Sequence, residues 1–158
     1  MNLTLFDLDG TLIETDSDHA FGDFMIAIGW ADAAIHREHN NAFYADYLNG
    51  TLDIDRYIDF ATSAWRHRPE AERLAARERF MQEIMRPSLH ARAHTLVQQH
   101  RDAGDLMAIV TATNQFVTRP IADAFGIADL IAVELERDAA GGYTGRVQGT
   151  PSFREGKV

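Results

Sequence analysis

Leu3-Thr4-Leu5-Phe6-Asp7-Leu8-Asp9-Gly10-Thr11-Leu12 is the stretch on which the fold turns. It opens with a short apolar run, sets two aspartates two residues apart and closes on Asp9-Gly10, a turn signal. This predicts a strand at about residues 3 to 7, buried on both faces as in a parallel sheet. A chain that starts this way implies α/β architecture, with a site at the C-terminal end of the strand.

The spacing of the acids carries the first chemical statement. Residues two apart on a strand point to one face, so Asp7 and Asp9 can crowd one pocket where strand becomes loop. Crowded carboxylates repel, and removal from water worsens this. A divalent cation or a shared proton relieves it. Magnesium suits the arrangement, because it takes hard oxygen ligands and needs few protein carboxylates when phosphate and water supply the rest. A bare Asp-x-Asp is ordinarily a solvated strand end; the buried strand before it and Gly10-Thr11 after it favour a site.

Outward from this stretch, residues 17 to 103 contain almost nothing that reads as strand. Phe21, Phe24, Met25 and Ile28 mark one helix face. Trp30 to Leu48 is expected to be largely helical, Asn49-Gly50 a turn, and Leu52 to Ala61 another helix. Arg66-His67-Arg68-Pro69 breaks that helix, and its basic run reads as a solvated end. Pro69 suits the first turn of a helix running to about Met85, with Leu74, Phe80, Met81, Ile84 and Met85 as its apolar face. Pro87-Ser88 then starts a helix that ends near Ala103-Gly104. Strand character returns at Asp105 to Thr111. Gln115 to Phe125 is expected to be a helix in which Pro120 makes a kink or marks the first turn. Leu130 to Val133 is a third strand, and Gly141-Gly142 turns a hairpin between Ala132–Leu135 and Tyr143–Val147. A helical block of this length is too long for a crossover and reads as an inserted subdomain.

Composition narrows the function classes. The chain has 158 residues, 46% of them hydrophobic, enough for one core. Its 15 basic and 24 acidic residues leave a formal charge of −9, a poor basis for binding a nucleic-acid backbone. It contains no cysteine, which removes disulfides, zinc–thiolate sites and thiol catalysis together. No apolar run approaches the roughly 18 residues of a membrane span, and the first residues lack the features of a signal peptide. A soluble cytoplasmic protein is expected; the oligomeric state stays open.

Among other polar residues, Thr111 ends the second apolar strand, and Thr113 and Asn114 precede a helix, where hydroxyls and backbone N–H groups make an anion site or simply a cap. Lys157 taken alone is an ordinary surface lysine. None of the seven histidines has zinc spacing; His36, His39, His90 and His94 are expected to be surface or packing residues.

Phe6 to Leu12 matches the first motif of the haloacid dehalogenase-like hydrolases. Ile109-Val110-Thr111-Ala112-Thr113 resembles their second motif, and Gly156-Lys157 the third, after a Thr144-Gly145 segment. The helical block resembles the small cap of the phosphoserine-phosphatase-like branch. Asp16-Ser17-Asp18, Ala132 to Glu136 and the tail from Gly149 to Lys157 look most like its histidinol-phosphatase-like and uncharacterised members. The resemblance spans essentially the whole chain. It implies a three-layer, Rossmann-like α/β core with a parallel sheet at residues 1–15 and 88–158, and an all-helical cap at 16–87.

The resemblance also implies roles. Asp7 is the nucleophile that becomes an aspartyl-phosphate, and Asp9 protonates the leaving alcohol and then activates water. Asp7 and Asp9, the latter through its carbonyl, bind Mg2+. Thr111, the Ala112 N–H and Gly10 hold the phosphate, and Lys157 neutralises charge beside Asp7. Asp16, with Asp18 as its alternative, contacts a small phosphorylated metabolite at the cap entrance, mildly favouring an amino-alcohol phosphate. The acid at position 9 speaks for hydrolysis and against dehalogenation. A phosphotransferase or mutase shares the chemistry, and a catalytically inactive binding protein is the alternative of another class. The family's fourth motif, an acidic pair on a later strand, is absent from these 158 residues. A truncated or incomplete chain is therefore expected, with an unprotected edge at the first strand; if complete, little activity and poor stability are expected.

Overall fold

The computed structural model describes residues 1–152. Gly156-Lys157 lies outside the described residues. Three parallel strands form a mixed α/β core in the order β1 (Leu3–Phe6), β2 (Leu106–Asn114), β3 (Asp129–Val133). Leu3 pairs with Leu106 and Phe6 with Ile109, while Ala108 pairs with Asp129 and Val110 with Ile131. Between β1 and β2 run α1 (Ser17–Ala27), α2 (Ala33–Asn49), α3 (Ile54–Ser63), α4 (Glu70–Phe80), a π-helical turn (Met81–Met85), α5 (Arg86–Ser88) and α6 (Ala91–Asp102). A single helix, α7 (Gln115–Ala124), connects β2 to β3, and β4 (Leu135–Arg137) forms an antiparallel hairpin with β5 (Tyr143–Val147).

The expectation that β1 is buried on both faces does not hold. Phe6 is buried, but Leu3 and Leu5 are 65% and 56% exposed. Among the described residues β1 is a sheet edge, and Leu3 and Leu5 share their face with Leu106 and Ile131, which are also exposed. The opposite side is well filled. Leu8, Leu12 and Ile13 from the turn after β1, Phe21, Phe24 and Met25 from α1, Trp65, Phe80, Met81 and Met85, and Val117 and Ile121 from α7 form one apolar cluster. Trp65 stacks on Phe116 with centroids 4.2 Å apart, so the helical insertion and the sheet share a core.

Four boundaries differ from expectation, each for a local reason. Pro69 caps α4 from outside its first turn. Pro87 does not start the long helix, which begins at Ala91 after His90. Instead it continues the run from α4 just past the π-turn, where the Arg86 N–H reaches back five residues to Met81. A residue with no N–H fits where the ladder is already shifted. The extra residue in that turn keeps Met81 and Met85 inward and turns Ile84 outward; Leu74 is exposed too, since α4 buries Arg73, Ala76 and Phe80. The first arm of the hairpin is Leu135–Arg137, because Ala132 and Val133 are taken by β3.

Arg66 is not a solvated helix end. Its guanidinium pairs with Asp59 at 2.7 Å and donates to the Asp59 carbonyl at 2.7 Å and the Thr62 hydroxyl at 3.1 Å. The hairpin presses on this pair through Gly145, whose φ is +87°. A Cβ there would lie 2.5 Å from Arg66 Nη1 and 2.9 Å from Asp59 Oδ1. Gly145→Ala is expected to cost about 1 to 3 kcal/mol in urea denaturation, from backbone strain and a displaced ion pair together. A change near zero would mean that the hairpin does not bear on α3.

Candidate active site

The turn after β1 builds the site. The Leu8 carbonyl accepts the N–H groups of Thr11, Leu12 and Ile13 at 3.2, 3.0 and 3.1 Å. Gly10, at φ +72°, permits this reversal. Asp7 stands exposed at the strand end, and Asp9 is half-buried.

Both oxygens of Asp9 are engaged. Oδ1 accepts the Ser17 N–H at 2.6 Å, at the start of α1. Oδ2 accepts the hydroxyls of Thr111 at 3.3 Å and Thr113 at 3.1 Å, from the end of β2. The Thr113 N–H donates to the Thr111 hydroxyl at 3.1 Å, and the Ser152 hydroxyl to the Thr111 carbonyl at 2.6 Å. Burial pushes the Asp9 carboxyl above its ordinary value; hydrogen bonds from Ser17 and Thr113 oppose this and the Asp16 charge adds to it. Burial thus acts in the direction that a proton donor requires, against the bonds donated to the two Asp9 oxygens.

The helical side supplies two further carboxylates. Asp16 caps α1, accepting the His19 N–H at 2.8 Å. Asp18 accepts the Tyr57 hydroxyl from α3. Burial, with the Asp16 and Asp9 charges adding to it, raises Asp18 to about 6 against the Tyr57 hydrogen bond. Burial and the Asp18 charge push Tyr57 well above its usual range. A carboxyl held neutral by its fold stabilises below its ordinary value of 3.8 and loses that contribution as pH rises through about 6. Asp18→Asn is therefore expected to gain stability relative to the parent chain between pH 4 and 6, and to hold a constant difference above that. Urea denaturation at four pH values checks this; a difference independent of pH would contradict it.

Asp7, Asp9, Asp16, Asp18, Thr111 and Ala112 all border one cleft of about 570 Å³. Gly10 is not among its lining residues and shapes the turn instead. Lys157 lies outside the described residues. Several lining groups were missed from sequence. Tyr57 falls within the helix expected over Leu52 to Ala61 with no role singled out, yet its hydroxyl reaches Asp18. Thr113, read as part of an anion site or a cap, donates to Asp9, and Asn114 makes the cap, accepting the Val117 N–H at 3.2 Å. The alternation Thr111-x-Thr113 on a strand was the available signal, since it sends both hydroxyls to one side. Asn40 and Tyr44 of α2 close the far wall; nothing in the sequence singles them out.

His36 and His39 pack against Phe60, and His94 against Phe125, as packing residues. No cluster of three or more His, Cys, Asp or Glu suited to a metal occurs among the described residues. The Asp7 and Asp9 donors are nonetheless of the hard-oxygen kind that magnesium takes. No helix among the described residues is long and apolar enough to cross a membrane.

A family model described as haloacid dehalogenase-like hydrolase matches residues 4–158. Over 157 residues the chain is 41% identical to a protein described as histidinol-phosphatase from Neisseria meningitidis serogroup C (strain 8013), covering 99% of this chain and 71% of that one. It superposes on the crystal structure of a protein of unknown function from Bordetella pertussis Tohama I with a TM-score of 0.90 and 45% identity, covering 100% of this chain and 71% of that one. A phosphoserine phosphohydrolase-like protein from Francisella tularensis subsp. tularensis SCHU S4 gives a TM-score of 0.61 at 17% identity, over 93% of this chain and 64% of that one, a likeness of fold.

Proposed function

The chain belongs to the haloacid dehalogenase-like hydrolases, and from that premise we propose a residue-level mechanism for phosphomonoester hydrolysis through an aspartyl-phosphate. The observation that carries it is the meeting in one cleft of an exposed Asp7 with an Asp9 held by the Ser17 N–H and the Thr111 and Thr113 hydroxyls.

An Asp7 oxygen attacks phosphorus, and the leaving alkoxide takes the proton of Asp9. The Thr111 hydroxyl and the Ala112 N–H hold the phosphoryl oxygens. Asp9, now ionised, takes a proton from the water that attacks the aspartyl-phosphate, which releases phosphate and restores both carboxyls. Lys157 is assigned to the charge that builds beside Asp7. Asp7 and the Asp9 carbonyl would hold magnesium, which when bound supplies positive charge against the carboxylates and the phosphoryl oxygens. Residues 16–87 act as the cap that closes over the substrate and excludes water.

The substrate class follows from the cap side. Asp16 and Asp18 face the same cleft as the nucleophile, and the relative described as histidinol-phosphatase is similar along nearly the whole chain. A small amino-alcohol phosphate, with an ammonium or imidazole group toward these acids, fits both. A cytoplasmic setting accords with the absence of cysteine.

Hydrolysis assays with magnesium and with EDTA test this. Turnover of p-nitrophenyl phosphate is expected to vanish with EDTA and to return with excess magnesium. Histidinol phosphate is expected to exceed a neutral sugar phosphate in kcat/KM by at least about tenfold, the effect of one well-placed charge contact. Metal-independent turnover would overturn the mechanism, and equal use of both esters the substrate class.

A further inference from the structure

A second cleft, of about 200 Å³, shares no lining residue with the catalytic one. Arg77 of α4, Arg119 of α7 and Arg137 of β4 converge on it, beside Gln115, Phe116 and Tyr143. Three guanidiniums from three elements meet here in a chain of formal charge −9.

Their partners differ. Arg119 is engaged by the Asp123 carboxylate at 2.9 Å and by the carbonyls of Ala128 and Ile127. Arg77 and Arg137 make no ion pair among the described residues. Arg77 is half-buried, and burial lowers its proton affinity; Asp123 and Glu78 act on it only at a distance. A partly buried guanidinium is costly unless an anion compensates it.

The geometry holds these groups ready. Pro120 has no N–H for the Phe116 carbonyl four residues back, and Arg77 Nη1 takes that carbonyl at 3.3 Å. A helix defect therefore seats Arg77. Its guanidinium also lies 4.8 Å from the Phe116 ring, and that of Arg137 4.4 Å from the Tyr143 ring. Arg137 donates to the Tyr143 hydroxyl at 2.7 Å and to the Gly141 carbonyl at 3.2 Å. These bonds and the stacking fix the plane of its guanidinium, and the second hydrogen on each terminal nitrogen remains to meet an oxyanion. Arg73, whose buried Nε has no partner among the described residues, adds positive charge against Tyr143.

We propose that this cleft binds a small tetrahedral oxyanion, inorganic phosphate or the phosphate group of a small metabolite, gripped by Arg77 and Arg137 with the Gln115 amide. Two forks carried by separate elements suit oxygens spread over a tetrahedron better than the two coplanar oxygens of one carboxylate. The proposal is independent of the catalytic assignment.

Equilibrium dialysis of the parent chain with radiolabelled inorganic phosphate in EDTA tests it. Saturable binding near one per chain is expected. Arg137→Gln and Arg77→Gln are each expected to weaken it by about tenfold or more, whereas Thr111→Ala leaves it unchanged. Arg137 is exposed, so its variant keeps the result interpretable if Arg77→Gln fails to fold. Fluorescence of Trp65, stacked on Phe116, reports occupancy independently. Methylphosphonate in competition separates the two sources: stronger binding than phosphate assigns an organic phosphate, weaker binding the free ion. Loss of binding in Thr111→Ala with none in Arg137→Gln overturns the proposal, as does equal competition by acetate or the absence of saturable binding.

Discussion

Replacing Asp7 by Asn is expected to lower turnover of p-nitrophenyl phosphate by roughly 10⁴-fold or more, the scale seen when a covalent nucleophile is removed. The amide keeps the shape of the side chain but offers phosphorus no anionic oxygen. Asp7 is exposed, so the fold is expected to survive the change. Asp9→Asn gives a different failure. Nitrophenolate leaves without a proton, so this variant still transfers the phosphoryl group to Asp7 but cannot activate water. A stoichiometric burst of nitrophenolate followed by a stall is the expected trace, against no burst in Asp7→Asn. Residual Asp7→Asn turnover within tenfold of the parent chain would remove Asp7 from the nucleophile's role.

The largest effect on stability is expected at Trp65. Its side chain is 1% exposed, lies nearly parallel to Phe116 at an interplanar angle of 16°, and meets Tyr143 edge-on at 5.3 Å. Trp65→Ala removes a large apolar volume where the helical insertion meets α7 and the hairpin, and is expected to cost about 3 to 5 kcal/mol. For a chain of this length that corresponds to a melting temperature lower by on the order of 10 °C. The indole N–H has no hydrogen-bond partner among the described residues, so Trp65→Phe forfeits area but no polar contact there and is expected to lose less than half as much. A loss under about 1 kcal/mol for Trp65→Ala would show that the contact adds little.

Which features are legible from sequence follows from where their determinants lie. β2 announces itself because a strand inside a parallel sheet needs a near-continuous apolar run. β1 and β3 carry the same signal, yet each is a sheet edge among the described residues and is partly exposed, since exposure depends on the neighbouring strand and not on the strand's own residues. The aspartates of the first loop are legible because a short local motif holds them. Tyr57, Asn40 and Tyr44 are not, because their place in the cleft depends on tertiary packing, of α2 against α1 and of α3 against β5. Pro87 misleads for a related reason. A proline after an apolar helix signals a new start, and only the π-turn before it, a product of packing around Met81 and Met85, lets the run continue. Pro120 signals a kink or a first turn in the sequence, but its consequence inside α7, a carbonyl released for Arg77, needs α4 alongside.

The pairing of β1 with β2 joins residues about a hundred positions apart, Leu3 with Leu106 and Phe6 with Ile109. Asp9 on one side and Thr111 and Thr113 on the other belong to the same long closure. Helices α1 to α6 need only local contacts to begin forming, whereas this closure must first overcome the entropy of a long loop. During refolding, helical circular dichroism is therefore expected to return ahead of catalytic activity. During synthesis Asp7 leaves the ribosome before β2 exists, and it waits for about a hundred further residues before Thr111 and Thr113 can complete the cleft around it.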